Sequence, residues 1–229
     1  MDLVVYYSRI ACTWYVDPFG KKNGTGSVEQ PFSTIQAAVE RSSSGDTILL
    51  LPGDYELNKD IVISEMAVLH IAAFSPSDRP RLLDWGIQLQ ATQGMISNIT
   101  ISDIIIESSR ALRIIGTVND ITILRTDFLM IGPATEDVIK LDRLKLGGDG
   151  TDPEKSINGI RFVDCVFDTR NSYTVGIWFF SWRLLIGPNV DSSPGNQLIF
   201  ERVKMRGGTR GPMILYFESA PFIVFKECD

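Results

Sequence analysis

Few side chains in this sequence are equipped for chemistry on their own. There is one histidine, His70, inside an apolar run at 68–73, and three cysteines, Cys12, Cys165 and Cys228, without metal-type spacing. That set argues against a zinc site, a Cys–His nucleophile and a Ser–His–Asp triad. The cysteines read as small buried apolar residues, and His70 as a core or edge residue rather than a base. Two later stretches are denser in polar and aromatic groups. Residues 143–156 contain Gly147-Gly148-Asp149-Gly150-Thr151-Asp152-Pro153-Glu154. Asp149 and Asp152 can hydrogen-bond sugar hydroxyls. With Glu154 they offer the hard oxygens that calcium takes, but the spacing fits no EF-hand, so a solvated acidic turn without a cofactor is expected. Residues 173–183 contain Tyr173, Trp178, Phe179, Phe180, Trp182 and Arg183. Strand alternation would send Ile177 and Phe179 inward and Trp178 and Phe180 outward, as a sugar platform or a subunit contact, unless the arm at 3–7 covers them. Trp182 would either stack on a sugar ring or cover the base of a loop, and Arg183 can bond hydroxyls.

The elements that must position these residues are almost all strands. Short alternating apolar runs are separated by Gly, Asn, Asp and Ser clusters. Residues 33–41 differ and predict a helix, with Ser33 as N-cap, Gln36 completing a capping box, and Ile35, Ala38 and Val39 as one apolar stripe. Beyond residue 85 a strand–turn unit recurs. Its inward positions are Ile99/Ile101, Ile121/Ile123, Ile160/Phe162, Leu198/Phe200 and Ile223/Phe225. A second strand precedes each unit, at Ile87/Leu89, Leu112/Ile114, Ile139/Leu141, Ile177/Phe179 and Ile214/Tyr216. Two consecutive repeats carry an insertion at the same point, near 143–156 and 182–195, so these loops should stand side by side. A repeat built from short strands, without a helix inside it, predicts an all-β, right-handed parallel β-helix with an N-terminal capping helix. The outward columns would be Thr100, Thr122, Arg161, Ile199, Val224 and Ser102, Leu124, Val163, Glu201, Lys226.

Composition sets the outer bounds. The chain has 229 residues, 44 % of them hydrophobic and 22 % charged, which is ordinary for a globular protein and excludes intrinsic disorder. A formal charge of -6 gives no positive field for nucleic acid. The longest apolar runs, such as 175–180, are far too short to cross a bilayer. The start lacks a basic region followed by an apolar one, so no signal peptide is visible. One domain over 1–229 is expected, with 14–55 as cap and first rung and 56–229 as further rungs.

The opening carries a resemblance. It runs through Tyr15-Val16-Asp17-Pro18-Phe19-Gly20, Asn23-Gly24-Thr25-Gly26, 30–38, 45–50 and Pro52-Gly53-Asp54-Tyr55. This run resembles the start of right-handed parallel β-helix proteins of the pectate lyase-like superfamily. It looks most like the alginate lyase and chondroitinase B branch, and the same opening occurs on phage and viral appendages. The resemblance implies a helix across the open end of the first coil, with Gly20, Gly24 and Gly26 making a tight turn of positive φ. It also implies, for the lyases, a calcium ion on the uronate carboxylate with a Lys and an Arg acting on the sugar. The outward columns hold only Arg161, Glu201, Lys204 and Lys226 as charges, which does not make that set.

The expectation is therefore a non-catalytic β-helix module, carbohydrate-contacting or structural, in a larger assembly such as a virion appendage. The alternative is a polysaccharide lyase acting by β-elimination. The implied partners are a polysaccharide or surface glycan and further subunits, a homotrimer by resemblance. Nucleic acid and membrane insertion are not expected, and the place of action would be a virion or the extracellular space. The last unit, 223–229, has no capping element after it, so a covering chain or further residues are expected there.

Overall fold

The computed structural model describes residues 10–108, 110–129, 139–142, 157–168, 178–183, 198–207, 214–217 and 223–229. The strands 139–142, 178–183 and 214–217 enter through their backbone pairing. Every strand pair is parallel, and the chain winds through three faces in turn. The first face stacks Thr13–Val16, Thr47–Leu50, Ala67–Ala73, residues 97–102 and 118–124, Ile157–Val163, Leu198–Glu201 and Ile223–Lys226. The second is a six-stranded sheet running from Asp54–Glu56 to Lys204–Arg206. The third stacks Ile61–Ser64, residues 87–91 and 112–116, Ile139–Asp142, Trp178–Arg183 and Ile214–Phe217. Ile87–Ser102 and Leu112–Leu124 each run on from the third face into the first. This is the expected parallel β-helix.

Residue type dictates the interior. On the first face Leu69, Ile99, Ile121, Ile160 and Leu198 form one buried column, and Ile71, Ile101, Ile123, Phe162 and Phe200 the next. Parallel in-register pairing puts like side chains one strand spacing apart, so β-branched and aromatic residues pack on their own kind. Phe162 lies flat on Phe200 at 5.4 Å, and Phe128 and Phe167 meet edge to face at 5.3 Å. Phe225 continues the stack on Phe200 at 4.9 Å and is 48 % exposed.

Left-handed residues stand at the ends of many passages of the first face. Val68, Asn98, Asp120 and Gly159 stand at its entrance, and Asp103, Arg125, Asp164, Arg202 and Glu227 at its exit. The residue after the exit corner turns inward. Thr126 Oγ1 donates to the Leu124 carbonyl, Cys165 Sγ to Val163, and Cys228 Sγ to Lys226. Two of the three cysteines thus fill a narrow corner where a small donor closes the turn. Burial pushes the Cys165 thiol up to about 12, which leaves it uncharged and unreactive.

The helix Ile35–Arg41 covers the first coil with Ile35, Ala38 and Val39. Its N-cap is Thr34, whose hydroxyl accepts from the Ala37 amide, and not Ser33. No capping box forms: the Gln36 carboxamide instead accepts from the Val62 amide at 2.9 Å and ties the cap to the third face. Tertiary contact outcompeted the local motif. Of the three early glycines only Gly26 has a positive φ, at 84°. Gly24 is needed for another reason, since a Cβ there would sit 1.9 Å from the Pro31 carbonyl oxygen. Asp46 fastens the cap. Its buried carboxylate accepts from the amides of Cys12 and Ser43 and from Trp14 Nε1, at 2.8–3.0 Å.

Candidate functional site

The lone histidine sits on the outward side of the first face. His70 pairs in register with Thr47 and Thr100, and that column continues through Thr122, Arg161, Ile199 and Val224, as expected. His70 Nε2 lies 3.1 Å from Ser102 Oγ. Beside Ser102, Arg125 forks onto the Asp103 carboxylate at 2.5 and 2.7 Å. Which of the two groups donates follows the imidazole tautomer. A nucleophilic serine needs its oxygen open to substrate. Ser102 is 2 % exposed, so this cluster is a structural clasp. Burial pulls the His70 pKa down, with Asp103 opposing and Arg125 adding to the shift.

The third face offers the better setting for a ligand. Between its buried columns run, in register, Val62, Gln88, Arg113, Lys140, Ser181, Tyr216 and, two residues on, Ser64, Gln90, Ile115, Asp142, Arg183, with Ile115 itself buried. Gln88, Gln90 and Arg113 are half-buried, and Gln88 Nε2 donates to Gln90 Oε1 at 2.6 Å. The charged positions 113, 140, 142 and 183 thus fall on successive rungs of one wall. Arg183 was expected as a contact, whereas the repeated strand of the first face alone gives no sign of Arg113, Lys140 and Asp142. The signal was present as the second strand of each repeat, Leu112-Arg113-Ile114 and Ile139-Lys140-Leu141.

Both insertions leave this wall at one level. Asp142 pairs with Arg183, and the strands the loops lead into also pair, Ile160 with Leu198. The loop bases are therefore neighbours, as expected. The loops themselves, with Asp149 and Asp152, lie outside the described residues. Register corrects the aromatic strand. Phe180 pairs with Ile139 and Leu215, and Trp182 with Leu141 and Phe217. They continue the columns of Leu112 and Ile114, both buried, where Ile177 and Phe179 had been expected. The ladder shifts register between Trp178 and Phe180, and such an irregularity breaks the two-residue count that placed Phe180 outward. The second insertion, from Phe180 to Leu198, is accordingly 18 residues against 21 from Ile139 to Ile160.

A cleft of about 840 Å³ opens between the capping helix and the turn at 56–61. Glu40, Asp54, Glu56, Asp60 and Asp84 line it, with Lys59 as the one cation. Asp54 is bound by Arg81, and Asp60 accepts from the Gly86 amide. Among the described residues, no three His, Cys, Asp or Glu side chains come together to hold a metal ion, and no helix is long and apolar enough to cross a membrane.

No family model and no curated protein matches the sequence. Solved structures match the fold. A rhamnogalacturonan lyase superposes with a TM-score of 0.57 at 15 % identity, covering 95 % of this chain and 56 % of that one. A pectate lyase, Pel9A, superposes with a TM-score of 0.51 at 17 % identity, covering 93 % and 57 %. The chain has the pectate lyase-like parallel β-helix fold and spans just over half the length of these structures.

Proposed function

We propose that this chain is a β-helix module that holds a polysaccharide along its third face, beside the two long loops. The observation that carries the reading is the outward wall of Gln88, Gln90 and Arg113, continued in register by Lys140, Ser181 and Arg183 at the root of both insertions. Side-chain amides and guanidinium groups suit sugar hydroxyls and carboxylates, and the rung spacing of ~4.8 Å repeats them along the axis as a polymer repeats its units. Asp149, Asp152 and Arg183 would complete the site from the loops and their bases, and Trp178 from the same strand, whereas Phe180 and Trp182 stand in register with the buried columns. In keeping with the sequence reading, the module would be one part of a larger assembly, which light scattering tests.

A second reading is lyase activity, favoured by the likeness of fold to the two lyases. One experiment addresses both. The protein is titrated calorimetrically with pectate, rhamnogalacturonan, alginate and chondroitin sulfate, and a neutral glucan, while ultraviolet absorbance follows unsaturated ends. Binding that weakens several-fold in Arg113→Ala, without absorbance, supports the module. A rising absorbance establishes the lyase. Binding to none of the five sinks both.

A further inference from the structure

Down the exit corner of the first face, five rungs in a row carry a charged residue in the left-handed conformation, with φ between 46° and 61°. In order they are Asp103, Arg125, Asp164, Arg202 and Glu227, so the sign alternates at every step. They are direct neighbours. The amide of Asp103 donates to the carbonyl before Arg125, that of Arg125 to the one before Asp164, and so through Arg202, at 2.8–3.0 Å. Arg125 forks onto Asp103, and Arg202 forks onto Asp164 at 2.6 and 3.0 Å while also touching Glu201. Arg125 feels Asp164 on its other side as well. An arginine gains nothing from left-handed backbone, which costs about 1 kcal/mol. From this corner, however, its guanidinium lies over the carboxylate one rung below.

One column of the apolar interior does not specify which rung stacks on which. The column Ile99, Ile121, Ile160, Leu198 is nearly uniform, so a strand that skipped a rung would bury almost the same surface. We propose that the alternating corner charges form a single register lock that fixes rung order. With alternating signs, native neighbours attract, while a skip by one rung sets Asp103 on Asp164 or Arg125 on Arg202. Every such misfold carries like charges in contact at a corner where the backbone cannot swing them apart, which is specification against the alternative. The neighbouring column, which passes from Ile101 and Ile123 to Phe162 and Phe200, distinguishes rungs by size, and the corner adds a charge penalty to every skip.

The lock makes two demands that isolated ion pairs do not. Arg125→Glu should cut the refolding yield several-fold below that of Arg125→Gln and lower Tm by roughly 5 °C more, and 1 M salt should shrink both differences, since charges are then screened beyond ~3 Å. Equal refolding of the two variants at low salt would overturn the proposal. Independently, a cycle of Arg125→Gln, Asp164→Asn and the double variant reads the coupling between those two residues. Non-additive shifts in denaturation midpoint are expected. Additive shifts mean that Asp103–Arg125 and Asp164–Arg202 are separate pairs, and the lock fails.

Discussion

Arg125 shows how one side chain can serve both backbone and charge. It sits in an unfavourable backbone region, yet that conformation brings its fork onto the Asp103 carboxylate, next to the His70–Ser102 contact. Two titrations follow, both of which weaken the fold on acidification. Asp103 loses water on burial, but hydrogen bonds from Arg125 and Ser102 hold its carboxyl below the usual range. Asp164 is held low chiefly by Arg202. In the unfolded chain these carboxyls take up protons near pH ~3.9. Their contribution is therefore fully present above that pH and lost as the pH falls through the lower folded values. His70 acts higher. Its folded pKa is depressed, so the unfolded chain binds the proton first, and stability drops as the pH falls through ~6.5. Melting curves from pH 8 to 5 should show this decline in the wild type. His70→Gln should flatten it, and an unchanged decline would assign the effect elsewhere.

At the scale of the element, the strands depend on in-register stacking and on a few backbone approaches. Ile123 lies between Ile101 and Phe162 and is buried. Ile123→Ala should cost about 2–5 kcal/mol by removing packed methyl groups. Ile123→Asp places a charge there without a partner and should unfold the rung. A soluble Ile123→Asp protein with unchanged Tm would refute the register. Gly116 marks a close approach: at a φ of 92°, a Cβ would stand 1.8 Å from the Ala91 carbonyl oxygen. Gly116→Ala should therefore lower the denaturation midpoint by more than the cost of an ordinary surface change, and no shift would mean that the bend between the third and first faces is softer than its geometry implies.

Across the whole molecule, a solenoid is quasi-one-dimensional, each rung touching only its neighbours. Stability should then vary along the axis. Asp46, Trp14 and the helix tie down the first coil, whereas Ile223–Lys226 pairs, among the described residues, with one strand and leaves Phe225 half-exposed. Amide exchange of the 229-residue chain should be slowest for residues 47–50 and 99–101 and fastest for 223–226. Uniform protection would indicate a single cooperative unit instead. Asp46→Ala, which strands three donors, should cost roughly 3 kcal/mol or more and collapse the protection of the first coil.

The two-residue alternation and its repeat determined the fold by themselves. Ile99, Ile121, Ile160 and Leu198 must point one way on a strand, and a strand–turn unit recurring without helices has few ways to bury that face. The helix stripe Ile35, Ala38 and Val39 was legible for the same reason. Only the tertiary structure decided the rest. Ser33 and Thr34 are both good caps, and the choice fell to where the helix meets Val62. Phe180 and Phe179 compete for one column, and a local register shift settled it in favour of Phe180. The wall around Arg113 and the charge order at Asp103, Arg125, Asp164 and Arg202 bring together, on neighbouring rungs, residues that stand 22 to 41 positions apart in the chain. Their meeting depends on loop lengths and register between rungs, which nearest-neighbour patterns along the sequence do not encode.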